Sequence, residues 1–190
     1  MFNCYDFGQL NNQVDQCGNR NTSPNQFDQC GNRNTSSRRE RCNRYPNLEY
    51  ARLVNLSPEQ TNIPNGGSLV FTDILLNCGG IVTFTPNTGN IKLEEGGVYF
   101  VIYESEVYST EATTANHTLG LILELDNDPV LGSGTTVVVG AMQRAELVSH
   151  AIIVAQRGNP NLLRLINQSG RNVNAFGANI SIIKIAELRR

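Results

Sequence analysis

The chain has no tryptophan and only two histidines among its 190 residues. Two histidines cannot build a His-rich metal centre, and they leave little for histidine-driven catalysis. The 15 Lys and Arg nearly cancel the 17 Asp and Glu, for a net charge of −2. That balance lacks the basic excess of a nucleic-acid binder. No apolar run reaches the roughly 18 residues that would read as a membrane-crossing helix. The opening Met1-Phe2-Asn3-Cys4-Tyr5-Asp6 has neither the basic start nor the apolar stretch of a secretory signal. Nucleophile elbows, phosphate loops, paired Cys-x-x-Cys ligands and a full EF-hand pattern are also missing, so no cofactor is expected and enzymatic chemistry has no local mark.

What is present falls into two regions. Residues 1–47 are rich in Asn, Gln, Arg, Ser and Cys and carry six Arg against four acids. With so few aliphatics, this stretch is expected to be an extended connector that cannot fold on its own. Residues 48–190 carry nine Lys and Arg against thirteen acids and are expected to form the globular domain. The opposite signs favour docking of the connector on another subunit, although screening weakens such small charges. The basic cluster Ser37–Arg44 reads as a flexible solvated hinge, or as a site for an acidic surface or nucleic acid.

The connector repeats itself. Asn12–Pro24 and Asn25–Ser37 share eleven of thirteen positions, and Cys4, Cys17, Cys30 and Cys42 stand at intervals of 13, 13 and 12. Zinc ligation fits this spacing poorly, because no close cysteine pair and no nearby histidine exist. Free thiols left by a duplication are a second reading. The preferred one is a row of cross-link points, since an extended 13-residue unit reaches about 43 Å and meets successive neighbours in an assembly. Such bonds need an oxidising environment. Val14 and Phe27, the lone apolar residues of their repeats, are candidate anchors in a groove of another subunit.

From Leu48 onward, short Val/Ile/Thr/Tyr/Phe runs alternate with Gly/Asn/Pro turns. The pattern predicts strands at Tyr50–Val54, Gly67–Phe71, Ile81–Phe84, Asn90–Leu93, Gly97–Tyr108, Thr118–Asp126, Thr135–Ala141, Ala145–Ala155, Asn161–Asn167 and Ala178–Glu187. No segment carries a helical apolar stripe, so the expectation is an all-β sandwich of two sheets. The run Gly80–Tyr103, with a strand, a turn, a short strand and then Gly97-Val98-Tyr99 opening a long aromatic strand, resembles the tumour-necrosis-factor/complement-like jelly rolls. The ending Ala178–Ala186 resembles the last strand of their bacterial branch, the C-terminal domains of collagen-like glycoproteins on the spore exosporium. The resemblance covers roughly residues 50–188. A Cys repeat stands where that family carries a Gly-x-y stalk, a layout similar to subunits of bacterial endospore appendages.

The resemblance implies a trimeric, non-enzymatic jelly roll, with Tyr99 and Tyr103 at or near the subunit interface. It also implies a place on a bacterial spore or cell surface, reached without a classical signal peptide. The expected function is therefore a structural subunit of a fibre or appendage. Its partners are copies of itself, as homotrimer and higher polymer, and other spore-surface proteins, with no nucleic acid and no membrane insertion. The alternative is a trimeric binding module presenting Asn127–Gly134 and Gly158–Asn161 to a receptor or glycan. Smaller expectations complete the reading. His150, sharing a face with Val148, Ile152 and Val154, reads as a core or interface residue. His117 reads as solvent-exposed. Cys78 reads as a buried structural thiol. Asp126 and Asp128 read as an acidic turn before Pro129, with Ca²⁺ ligation the sharper alternative.

Overall fold

The structure, a computed structural model, describes residues 48–111 and 115–189. Every strand among them pairs antiparallel. They are β1 Tyr50–Val54, β2 Gln60–Ile63, β3 Asp73–Cys78, β4 Val82–Phe84, β5 Ile91–Leu93, β6 Gly97–Tyr108, β7 His117–Leu125, β8 Asp128–Pro129, β9 Thr135–Val139, β10 Arg144–Ala155, β11 Leu162–Asn167 and β12 Val173–Glu187. One sheet runs β10-β6-β12-β1-β3, with β2 on the end of β12. The other runs β4-β5-β11-β7-β8, with β9 also on β7. The two inner faces enclose one core, containing Leu53, Phe71, Val101, Leu121, Leu165 and Ile180 among its buried residues. This is the all-β jelly roll that the strand pattern predicts.

Alternation in the long strands builds the sandwich. In β6 the odd-numbered residues, from Gly97 to Val107, are buried, and the even-numbered ones are partly or fully exposed. Their neighbours keep the same phase, with Val101 opposite Ile182 in β12 and Ala151 in β10. A period of two cannot bury both faces against one partner sheet, so half of each strand's side chains turn away from the core. Gly97 is required by close packing, because a Cβ there would lie 2.6 Å from the Tyr99 hydroxyl. In β12 a register shift between Phe176 and Asn179 is relieved at Gly177, whose φ of +57° suits glycine.

Several features differ from the sequence reading. Gly67–Phe71 is not a strand; it makes isolated bridges, Ser68 to Ile166 and Phe71 to Thr88. Leu69 and Phe71 are nevertheless fully buried, because this segment crosses the sandwich edge and inserts both side chains. The backbone amide of Leu69 donates to the carbonyl of Leu165 at 2.8 Å, and that of Phe71 to the carbonyl of Thr88 at 3.0 Å. β2, β3 and β8 were not anticipated; β3 forms an edge strand on β1. β12 begins at Val173, five residues before the predicted start, since its first residues pair with β2.

Candidate functional site

The outer face of the β10-β6-β12 sheet divides into two halves. Toward the start of β6 it is apolar. Phe100 faces Ile152 of β10 on one side and Ile183 of β12 on the other; Val98 faces Val154, and Ile102 faces His150. Ile152 is 63% exposed, and Val148, Val154, Ile102 and Ile185 are also exposed. The rings of Phe100 and His150 lie 5.6 Å apart at 54°. Toward the end of β6 the face is charged. Arg144 pairs with Glu106 at 3.0 Å, and its guanidinium lies 4.5 Å from the Phe176 ring centre and 5.2 Å from that of Tyr108. Glu146 sits against Glu104, whose hydrogen bond and negative charge push the Glu146 carboxyl above its usual range.

The outer face of the second sheet is different. Arg164 meets Glu124 at 2.8 Å and Asn127 at 2.5 Å, and exposed Thr83 and Lys92 continue the polar surface. A one-sided antiparallel sheet ordinarily turns polar residues outward. The first sheet instead carries Val, Ile and Phe on both faces, and a contiguous exposed apolar patch of that kind marks a contact surface.

Tyr99 and Tyr103, expected at or near a subunit interface, lie in the core of the single chain. Both point into the chain's own sandwich and have no exposed area, so neither has surface to offer a neighbour. The Tyr99 hydroxyl donates to the Glu94 carbonyl at 2.8 Å. The Tyr103 hydroxyl lies 2.6 Å from the Ser133 carbonyl and 3.0 Å from that of Leu121, tying β6 to the second sheet. The residues beside them that turn outward are Val98, Phe100 and Ile102. Burial pushes both phenols up to about 12 from the ordinary 10. Each therefore holds its proton more tightly folded than unfolded, so its contribution to stability is intact below pH 10 and lost as pH rises from 10 through 12. Alkaline titration followed by tyrosinate absorbance should show these two phenols ionising only together with loss of near-ultraviolet circular dichroism.

At the sandwich end where β6 starts, Lys184 is 6% exposed by side chain and meets Glu49 at 3.2 Å, Glu94 at 2.9 Å and Glu187 at 2.5 Å. Burial by itself lowers an ammonium's pKa, but the hydrogen bonds to Glu187, Glu94 and Glu49 outweigh it and hold Lys184 above its usual value. The cluster joins the residue before β1, the β5–β6 turn and the end of β12.

Other predicted residues are placed as follows. His150 lies on the apolar outer face and is exposed in the single chain. His117, expected in solvent, is 5% exposed, because it opens β7 on the inward face opposite Val139. Among the described residues neither of its ring nitrogens meets a hydrogen-bond partner. An unpaired buried donor costs about 1–3 kcal/mol. His117→Leu is thus expected to raise the urea midpoint, equivalent to about 1 kcal/mol, and a clear loss of stability would show that the imidazole has a polar role. Cys78 is 2% exposed and disulfide-bonded, not a free thiol.

Asp126 accepts hydrogen bonds from the backbone amides of Asn161 (3.2 Å) and Leu162 (2.7 Å), an acidic turn clamping two loops together. Among the described residues no group of three or more His, Cys, Asp or Glu is placed to hold a metal ion. The loops Asn127–Gly134 and Gly158–Asn161, separate in sequence, do converge. Asp128, Pro129 and Val130 line a cleft of about 280 Å³ with Val154, Asn159 and Asn161. Cys4, Cys17, Cys30, Cys42, Val14 and Phe27 lie outside the described residues.

The sequence matches no protein-family model and no curated protein sequence. Solved structures do match. A tumour necrosis factor, Eiger, from S. frugiperda aligns over 75% of this chain and 96% of its own, with a TM-score of 0.54 at 14% identity. The globular domain of zebrafish complement 1qA aligns over 73% and 98%, at 14% identity and a TM-score of 0.46. Murine APRIL aligns over 73% and 99%, at 8% identity and a TM-score of 0.49. The first alignment shows a shared fold, the tumour-necrosis-factor-like jelly roll, and nothing finer.

Proposed function

We propose that this chain is a non-enzymatic structural subunit. Its jelly roll associates with copies of itself as a trimer, and its Cys-repeat connector links trimers into a fibre or appendage on a bacterial spore surface. The observation that carries this reading is the apolar outer face of β6, β10 and β12. A sheet with Val, Ile and Phe on both sides is only half covered by its own partner sheet. The likeness of fold and the resemblance of Gly80–Tyr103 and Ala178–Ala186 to spore-surface domains support the setting. The regular cysteine spacing supports cross-linking as the connector's task, with Val14 and Phe27 seating each repeat on a neighbour.

Negative-stain electron microscopy of the full chain, beside a chain starting at Leu48, each with and without reductant, tests it. Filaments from the full chain alone are expected, with discrete trimers from the shortened one. Discrete particles from both would remove the fibre reading. A second reading, a trimeric binding module, is favoured by the convergence of Asn127–Gly134 and Gly158–Asn161 around one cleft. Under that reading, binding of a receptor or glycan survives removal of residues 1–47.

A further inference from the structure

We propose that His150 makes the association of this chain with its own copies pH-dependent, because the covered face accepts a neutral imidazole and rejects an imidazolium. The inference rests on the trimer reading above and adds its regulation. His150 stands midway along the outer face of β10 and is exposed in the single chain, where water solvates either protonation state. Its surroundings on that face are apolar. Ile102 of β6 lies directly opposite, and Val148 and Ile152, both exposed, flank it on its own strand. The imidazole leans on Phe100, with ring centres 5.6 Å apart.

That lean decides the sign. Phe100 lies toward the start of β6, whereas the carboxylates of β6 on this face, Glu104 and Glu106, lie beyond Ile102 in the other direction. The ring therefore turns away from the nearest negative charge. Glu104 is also engaged, accepting from Asn179 Nδ2 at 3.2 Å and hydrogen-bonded to Glu146 of β10. Glu106 holds Arg144 at 3.0 Å. The residues of β12 opposite Ile102 and Phe100 are Ser181 and Ile183, which carry no charge. Past them, Arg52 of β1 lies opposite Ser181 and is a like charge. β9 has no charged residue. At the far end of β10, Asp126 and Asp128 share a cleft with Val154, about 13 Å along the strand from His150. A copy that covers the apolar half thus takes water from His150, and the chain itself supplies no free counter-charge. Burial without a partner disfavours the charged ring, so each chain must shed a proton to join. An imidazole ordinarily changes charge between about pH 5 and pH 8. Association is then at full strength at the alkaline end and weakens as pH falls through that range. At about pH 5.5, one unit below the ordinary imidazole value, the loss is about tenfold per chain, or about 1,000-fold in the trimer dissociation constant.

Sedimentation of the full chain over a concentration series at pH 8 and pH 5.5 tests this, with free thiols capped by iodoacetamide. Circular dichroism at both values reads the fold. Trimers are expected at pH 8, with dissociation toward folded monomers at pH 5.5. His150→Gln, uncharged at both values, should remain trimeric at both. His150→Lys, charged at both, should be a folded monomer at both. His117 is retained in each variant and is buried in its own chain, so it separates a change of fold from a change of association. The same pH dependence in the parent and in His150→Gln, by dissociation or by unfolding, overturns the assignment. A parent that is equally trimeric at both values, or tighter at pH 5.5, overturns it too and leaves the trimer reading standing. A parent that is monomeric at pH 8 at every concentration removes the trimer reading and this inference with it.

Discussion

Ile152→Asp is expected to give a folded monomer in place of the proposed trimer. Ile152 is 63% exposed in the single chain and sits mid-face on β10, directly opposite Phe100. A carboxylate there stays in water when the chain is alone, so folding is little affected. In an assembled trimer that covers this face, the same carboxylate loses its water beside Phe100 and Ile102 and gains no counter-charge. An unpaired buried charge costs several kcal/mol, enough to weaken association at least about 1,000-fold. Size-exclusion chromatography with light scattering on a chain starting at Leu48 reads the mass, and circular dichroism reads the fold. Val138→Asp is the control. Val138 is 66% exposed but lies on β9 of the other sheet, and its replacement should leave the mass unchanged. An Ile152→Asp protein with the mass of the parent would place the contact elsewhere and remove the central support for the proposed assembly.

The second large effect concerns Tyr103. Tyr103→Ala is expected to cost about 3–5 kcal/mol of folding stability, the range for deleting a large buried ring, and to lower the urea midpoint accordingly. The ring fills the core between β6 and the second sheet, and its hydroxyl serves the carbonyls of Ser133 and Leu121. Tyr103→Phe keeps the ring and removes only the donor, leaving those carbonyls without it, for a loss of about 1–2 kcal/mol. Its oligomeric state should match the parent, because Tyr103 has no exposed area. A Tyr103→Phe protein of full stability that fails to associate would return the residue to the subunit interface.

Strand existence was legible in the chain because period-two alternation between Gly/Asn/Pro turns leaves few other structures. β1 and β6 lie where their residues predict, and both ends of β11 fall within one residue of the prediction. The elements that escaped have physical reasons. β3, Asp73–Cys78, is an edge strand whose apolar run does not alternate, and its register with β1 is irregular near Leu53. Gly67–Phe71 has the residues of a strand, but its amides bond across to the carbonyls of Leu165 and Thr88 instead of to one ladder. His117 looked like a loop residue because Asn116 precedes it. It is buried because β9 pairs with the first half of β7 and extends the sheet past it.

By itself the sequence determined the all-β sandwich, the approximate strands, the two-part composition and the cysteine spacing. Each follows from local periodicity or counting, which need no knowledge of what packs on what. It also determined that β6 carries two apolar faces, but not which one turns inward. Only the tertiary structure decided that, by setting Tyr99, Val101 and Tyr103 against the second sheet and leaving Val98, Phe100 and Ile102 outside. The physical reason is that alternation specifies two faces equally. The side that faces water is chosen by the register of β12 and β10 on β6 and by the sheet that closes over them, contacts made between residues far apart in the chain.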